Sequence, residues 1–200
     1  MPILFATTML LTVACEKDVD GKSASVIYDL VTVYSDSQKT VTRITTDDGR
    51  CWNLLRPVTA DVSDSTFRCL CGYADADGLM RLYYLEQIYS TNPFKPDKYP
   101  SRPTDPLDIV SLWNSGGYIN MHLGIKTTNF APHGFSFCED SIVNGKVFFT
   151  LIHRQPQTDN ESYTKDVYLS LPLKNYADCD SAAIRINTYD GIRDQTFRLR

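Results

Sequence analysis

The sequence predicts an all-β protein, built as a small OB-like barrel followed by an antiparallel β-sandwich. Three observations carry that prediction. Short segments rich in β-branched and aromatic residues alternate apolar and polar side chains along most of the chain, turn signals such as Asp48-Gly49, Asp77-Gly78 and Asp190-Gly191 separate them, and no convincing amphipathic helix interrupts them. A proline-dense stretch, "PFKPDKYPSRPTDP", divides the strands into two groups. Fixed φ angles and missing donors make such a stretch read as a semi-rigid linker.

In chain order, the first element is an apolar run from Met1 to Ala14, followed at once by Cys15 and the polar stretch "EKDVDGKS". As a helix the run would reach only about 21 Å, against a hydrocarbon core of about 30 Å, so it is too short to remain as a membrane span. It fits the apolar core of a secretory signal, residues 1–14, with small residues beside the cut. No Lys or Arg precedes the run, so the signal is expected to extend upstream of Met1. Leu11-Thr12-Val13-Ala14-Cys15 resembles a bacterial lipobox, which makes Cys15 the lipidation site and residues 15–23 a lipidated tether. The expected location is the cell envelope, as an outer-membrane lipoprotein that is surface-exposed or periplasmic. Glu16, Asp18 and Asp20 resemble acidic export tags, although Lys17 interrupts them.

Residues 24–92 form the expected barrel. "ASVIYDLVTVYS" reads as one strand, "TVTRITTDDGRCWNLL" as a hairpin turning at Asp47-Asp48-Gly49, and "TFRCLCGYADADGLMRLYYLEQIYS" as a second hairpin turning at Ala76-Asp77-Gly78. Five short strands suit a small barrel. Residues 93–105 are the linker, and residues 106–200 the sandwich. In "YINMHLGI", Ile119, Met121, Leu123 and Ile125 share one face and Tyr118, Asn120, His122 and Gly124 the other, as in a half-buried strand. "KVFFTLIH", "DVYLSLPL" and "AIRINTYDGIRDQTFRLR" continue the alternation. With "LDIVSLW" and "GFSFCED" they make about seven strands.

Composition narrows the function classes. Of 200 residues, 20 are Lys or Arg and 24 Asp or Glu, a net charge of −4 with no basic block, which disfavours nucleic acid as a partner. Besides Cys15, the cysteines are Cys51, Cys69, Cys71, Cys138 and Cys179, an odd number, so at least one stays free. Cys69 and Cys71 share strand parity and would strain a mutual bridge, whereas a Cys138–Cys179 bridge is open. C-x-C with a distant Cys51 lacks zinc spacing, and no metal or other cofactor is expected.

"DPLDIVSLWNSGGYINMHLGI" with the upstream "TTDDGRCWNLL" resembles the NigD-like family of envelope lipoproteins from Gram-negative anaerobes. The resemblance runs from the lipobox at Cys15, through Asp47 to Trp52, to Asp105-Pro106, Trp113, Gly116-Gly117-Tyr118, Asn120 and His133. Ile119 replaces a frequent leucine, and Cys51 occupies a position not usually cysteine. It implies an N-terminal OB-like domain and a C-terminal β-sandwich. For activity it implies little: the family takes its name from an association with a bacteriocin locus and a suspected immunity role, with no recognised catalytic motif.

No G-x-S-x-G or H-E-x-x-H is present, and Ser136 and His133 lie too close in sequence for a nucleophile elbow, so catalysis is not expected. The rival expectation is an envelope hydrolase with a cross-strand His and carboxylate site drawn from His122 or His133. His122 falls on a polar face and is expected to be solvated or hydrogen-bonded, His133 to bond a turn, and Asp105-Pro106 to set a turn. Trp113 and Tyr118, across "WNSGGY", are expected to clamp a hairpin; the functional alternative is an aromatic platform. Candidate binding residues are therefore Trp113, Tyr118, Asn120, His122 and, on the barrel with Phe67 and Tyr73, Trp52. The expected partners are the membrane, through the lipid anchor, and a protein or glycan ligand.

Overall fold

The structure is a computed structural model that describes residues 25–98, 102–128, 132–156 and 163–200. The signal segment, Cys15 and the tether lie outside the described residues. Among those described, no helix is long and apolar enough to cross a membrane.

Five strands form the first unit: β1 (Ile27–Ser35), β2 (Val41–Thr46), β3 (Cys51–Trp52), β4 (Ser65–Ala76) and β5 (Leu79–Gln87). They lie in the order β3-β2-β1-β4-β5, and the sheet curls until Leu54, just past β3, bridges in parallel to Met80 on β5. This is the small, partly open barrel expected of an OB-like unit. Gly49 (φ +88°) and Gly78 (φ +84°) make the two hairpin turns, where left-handed backbone favours a residue without Cβ. Val31, Val33, Ile44, Cys69, Cys71 and Met80 fill the interior together with Trp52 and Tyr73.

Seven strands form the sandwich: β6 (Asp108–Ser115), β7 (Tyr118–Thr127), β8 (Gly134–Val143), β9 (Lys146–Arg154), β10 (Tyr163–Pro172), β11 (Ser181–Thr188) and β12 (Gly191–Arg198). A three-stranded sheet, β10-β7-β6, faces a four-stranded one, β12-β11-β9-β8. Ile119, Met121, Leu123 and Ile125 interlock with Val147, Phe149, Leu151, Leu169, Leu171 and Ile184, as their parity requires. Pairing is antiparallel except between β9 and β11, which run parallel. The chain leaves β9 for β10 in the opposite sheet before returning to β11, and that crossover sets the direction.

Four expectations change in three dimensions. The proline-dense segment is not a spacer: Phe94 pairs with Cys138 and Thr104 with His153, and Leu107, just past its end and fully buried, pairs with Thr188. Its free carbonyls and few remaining amides are used by the sandwich, with His153 N–H donating to Pro103 O and Asp105 N–H to His153 O. Already at Tyr89 the chain bridges to Leu169, so one residue, Ile88, separates the barrel from the first sandwich contact. β7 is not half-buried, because Asn120 on its polar face is 0% exposed. The third change concerns cysteine: Cys138 and Cys179 are free thiols, Cys138 lying against Arg102 Nη1 at 3.5 Å while Cys179 joins the core. Finally, register places Trp113 opposite Asn120 and Tyr118 opposite Ser115, so Trp113 and Tyr118 are only diagonal neighbours.

Candidate functional site

Asn120 is buried because the barrel covers that end of the three-stranded sheet. Arg68, from the middle of β4, is 1% exposed and reaches across the seam. Its five N–H groups all find acceptors: Nε donates to Ser170 Oγ (3.4 Å), Nη1 to Thr32 Oγ1 (3.1 Å) and Asp47 Oδ1 (2.6 Å), and Nη2 to Asp47 Oδ2 (3.0 Å) and Asn120 Oδ1 (3.1 Å). Asp47 Oδ2 also accepts from Ser115 Oγ (2.7 Å) and Asn120 Nδ2 (3.1 Å). The guanidinium lies 4.1 Å from the centroid of the Tyr118 ring. This cluster fixes the two units to each other, and a fully satisfied buried network is rigid.

The sequence candidates are thus placed as follows. Tyr118 and Asn120 face the barrel and belong to the seam. Trp113 stands half-buried beside them. Trp52 is buried in the barrel, T-shaped against Tyr73 at 5.7 Å and covered by the Arg50 guanidinium at 3.4 Å, so neither it nor buried Tyr73 offers a stacking face. Phe67 packs against the same core. His122 stacks on Tyr168 (4.4 Å between ring centres), and its Nε2 lies 3.3 Å from Asp166 Oδ1 without hydrogen-bond alignment.

His133 does not bond a turn. Its Nδ1 lies 2.8 Å from His153 Nε2, and His153 Nδ1 lies 2.8 Å from the Asp105 carbonyl oxygen. A carbonyl only accepts, so His153 Nδ1 carries the proton, and His133 Nδ1–H then donates to His153 Nε2. Burial holds both imidazoles below their ordinary pKa, which favours this neutral arrangement; at His133 the neighbouring His153 adds to it. The Asp105 carboxylate points elsewhere, accepting from Gln155 N–H at 2.7 Å.

One open site lies on the outer face of the four-stranded sheet, a cavity of about 600 Å³. That volume falls within the range of small-ligand sites. Phe148 and Thr150 of β9 stand beside Ala183 and Arg185 of β11, which pair in turn with Thr196 and Asp194 of β12. Arg185 holds Asp194 through two bonds (2.9 and 3.0 Å), and this contact keeps the Asp194 carboxyl below the usual range. At the other end Arg102 meets Asp140 at 3.3 Å, and Thr150 Oγ1 donates to Asp140 Oδ2 at 2.6 Å. Lys146 donates to Thr196 Oγ1 at 3.0 Å. These groove residues carry a sequence signal in Phe148, an aromatic on the face opposite Val147, Phe149 and Leu151. Arg68 likewise is the lone charge in "TFRCLCGY".

Comparison with known proteins agrees with this architecture. A NigD-like immunity protein from Bacteroides caccae is 24% identical, with a TM-score of 0.70, covering 90% of this chain and 100% of its own. A protein of unknown function from Bacteroides vulgatus is 14% identical (TM-score 0.69; 88% and 92% covered), and a candidate lipoprotein from Bacteroides fragilis 11% identical (TM-score 0.61; 86% and 96% covered). No curated protein matches the sequence. The family model described as the NigD-like C-terminal beta sandwich domain matches residues 90–199, a span that begins where the chain first bridges to the sandwich and takes in the whole proline-dense segment. With more than half its length matched, the chain belongs to the NigD-like family.

Proposed function

We propose that this protein is a lipid-anchored component of the cell envelope that works by binding a protein or glycan ligand and not by catalysis, with the groove over Phe148 as its ligand surface. The observation that carries this reading is the groove's construction. Its two carboxylates are already held by guanidiniums, Asp194 by Arg185 and Asp140 by Arg102, which suits fixed recognition better than proton transfer. The His133–His153 pair gives the hydrolase alternative little support, since the acidic residue beside it among the described residues, Asp105, offers a backbone carbonyl to His153 and commits its carboxylate to Gln155. The lipobox resemblance at Cys15 and the candidate lipoprotein from Bacteroides fragilis support the envelope location. An immunity role, part of the description of the Bacteroides caccae protein, would be one setting for such binding.

The test is a glycan array and a peptide library probed with the soluble form from Glu16 onward, beside Phe148→Ala. A ligand retained by wild type and lost by the variant supports the reading. Silence in both libraries overturns it, as does turnover in a broad hydrolase screen that disappears in His133→Ala.

A further inference from the structure

We infer that the groove over Phe148 is a site for an acidic saccharide, a chain whose pyranose rings carry carboxylates. The inference rests on the binding reading above and names its ligand class. Its starting point is charge. Arg185 and Arg102 each have an aspartate partner in the groove, whereas among the described residues the Lys146 ammonium, although its charge helps Arg185 hold the Asp194 carboxyl low, is within ion-pair distance of no carboxylate. Its contacts are the Thr196 hydroxyl at 3.0 Å and the Phe148 ring, 5.1 Å from the centroid. An ammonium has three donors, so Lys146 has donors to spare for an anion.

Distance couples that anion to an apolar surface. The Lys146 ammonium stands over the Phe148 ring at 5.1 Å from its centroid, so a carboxylate bonded to it at about 2.8 Å brings the ring that bears it within reach of the part of Phe148 the ammonium leaves uncovered. A uronate has this pairing, a carboxylate fixed directly to a ring whose C–H groups can lie against an aromatic side chain. Ala183, cross-strand neighbour of both Phe148 and Thr196, leaves room between them. The Arg185–Asp194 pair then offers a donor and an acceptor side by side, which matches vicinal hydroxyls. Both side chains are more than half exposed, so the pair is open to a ligand.

An acidic peptide is the competing occupant. The groove lies over β9 and β11, central strands whose backbone is paired to a neighbour on either side. Strand addition, the usual source of affinity for an extended peptide, is therefore closed there. Recognition must run through side chains, which favours a ligand rich in hydroxyls.

Titration calorimetry with tetragalacturonate, its methyl-esterified form and polyglutamate of similar length tests the inference. Wild type is expected to bind tetragalacturonate about tenfold more tightly than the ester, a gap that narrows with added salt. Lys146→Ala should erase the gap, Lys146→Arg restore it, and Phe148→Ala weaken both sugars, all with unchanged thermal midpoints. No binding of galacturonate, glucuronate or mannuronate oligomers, or polyglutamate binding as tightly as the uronates, overturns the inference. A neutral sugar or peptide bound in a Phe148-dependent way overturns the acidic ligand while leaving the binding reading intact. Release of new reducing ends from the uronate overturns the binding reading itself.

Discussion

Arg68 and Asp47 form a bidentate pair within the barrel that, apart from the Arg68 bond to Thr32 of β1, is bonded to the sandwich through Ser115, Asn120 and Ser170. Both charges are buried, at 1% and 9% side-chain exposure. Removing one partner of such a pair strands the other, at a cost of about 3–5 kcal/mol. Arg68→Met and Asp47→Asn should therefore each lower the free energy of unfolding by about that amount. Arg68→Met with Asp47→Asn should lose clearly less than the two single losses added together, because neither charge is left alone. Strictly additive losses in denaturant titrations, or single losses below about 1 kcal/mol, would show that the seam does not depend on the pair.

Gly116 adds a steric version of the same test. Its φ is +61°, and a Cβ there would sit 2.3 Å from Asp47 Oδ1. The adjacent Gly117, at φ +82°, has nothing within 4 Å of a Cβ. Gly117→Ala should lose about 1 kcal/mol through its left-handed backbone alone, whereas Gly116→Ala adds the displacement of Asp47 from Arg68. A thermal midpoint clearly lower for Gly116→Ala is expected, and equal midpoints would count against a tight seam.

The two segments that carry the family resemblance, "TTDDGRCWNLL" and "WNSGGYIN", turn out to meet at this place. Asp47 comes from the first, Ser115, Gly116 and Asn120 from the second, and Arg68 joins them. Strand parity made the barrel, the sandwich and their apolar faces legible, since Ile119, Met121, Leu123 and Ile125 have a single way to face a core. Parity does not say what covers the opposite face. It therefore read Asn120 as open to ligands and Trp52 as a platform, although a second unit covers the one and Arg50 the other. The Pro93 to Pro106 segment misled for a related reason: missing amides suggested a free spacer, while its carbonyls were available to pair with β8 and β9.

The His133–His153 pair links stability to pH. Both imidazoles are held below their ordinary pKa in the folded protein, chiefly by burial, so the unfolded chain binds protons first on acidification. Their contribution is complete above the unfolded value of about 6.5 and is lost progressively as pH falls towards the lower folded values. The thermal midpoint should thus fall between about pH 7.5 and pH 5, and His153→Gln should flatten that slope while lowering the midpoint at pH 7.5. An unchanged slope in the variant would assign the acid sensitivity to other groups.

The lipid anchor predicts a separation of folding from localisation. If Cys15 carries acyl chains, each buried CH₂ contributes about 0.8 kcal/mol to membrane retention, and Cys15→Ser removes all of it. The fold should survive: "EKDVDGKS" has Val19 as its sole apolar side chain, and the described chain opens on exposed residues, Val26 at 39% and Ile27, the first residue of β1, at 47%. Cells should therefore export the variant poorly or release it as a soluble protein with the wild-type thermal midpoint, while wild type partitions into detergent. A wild-type chain that remains in the aqueous phase, with its mature N-terminus elsewhere than Cys15, would refute the anchor and leave the barrel, the seam and the groove as they stand.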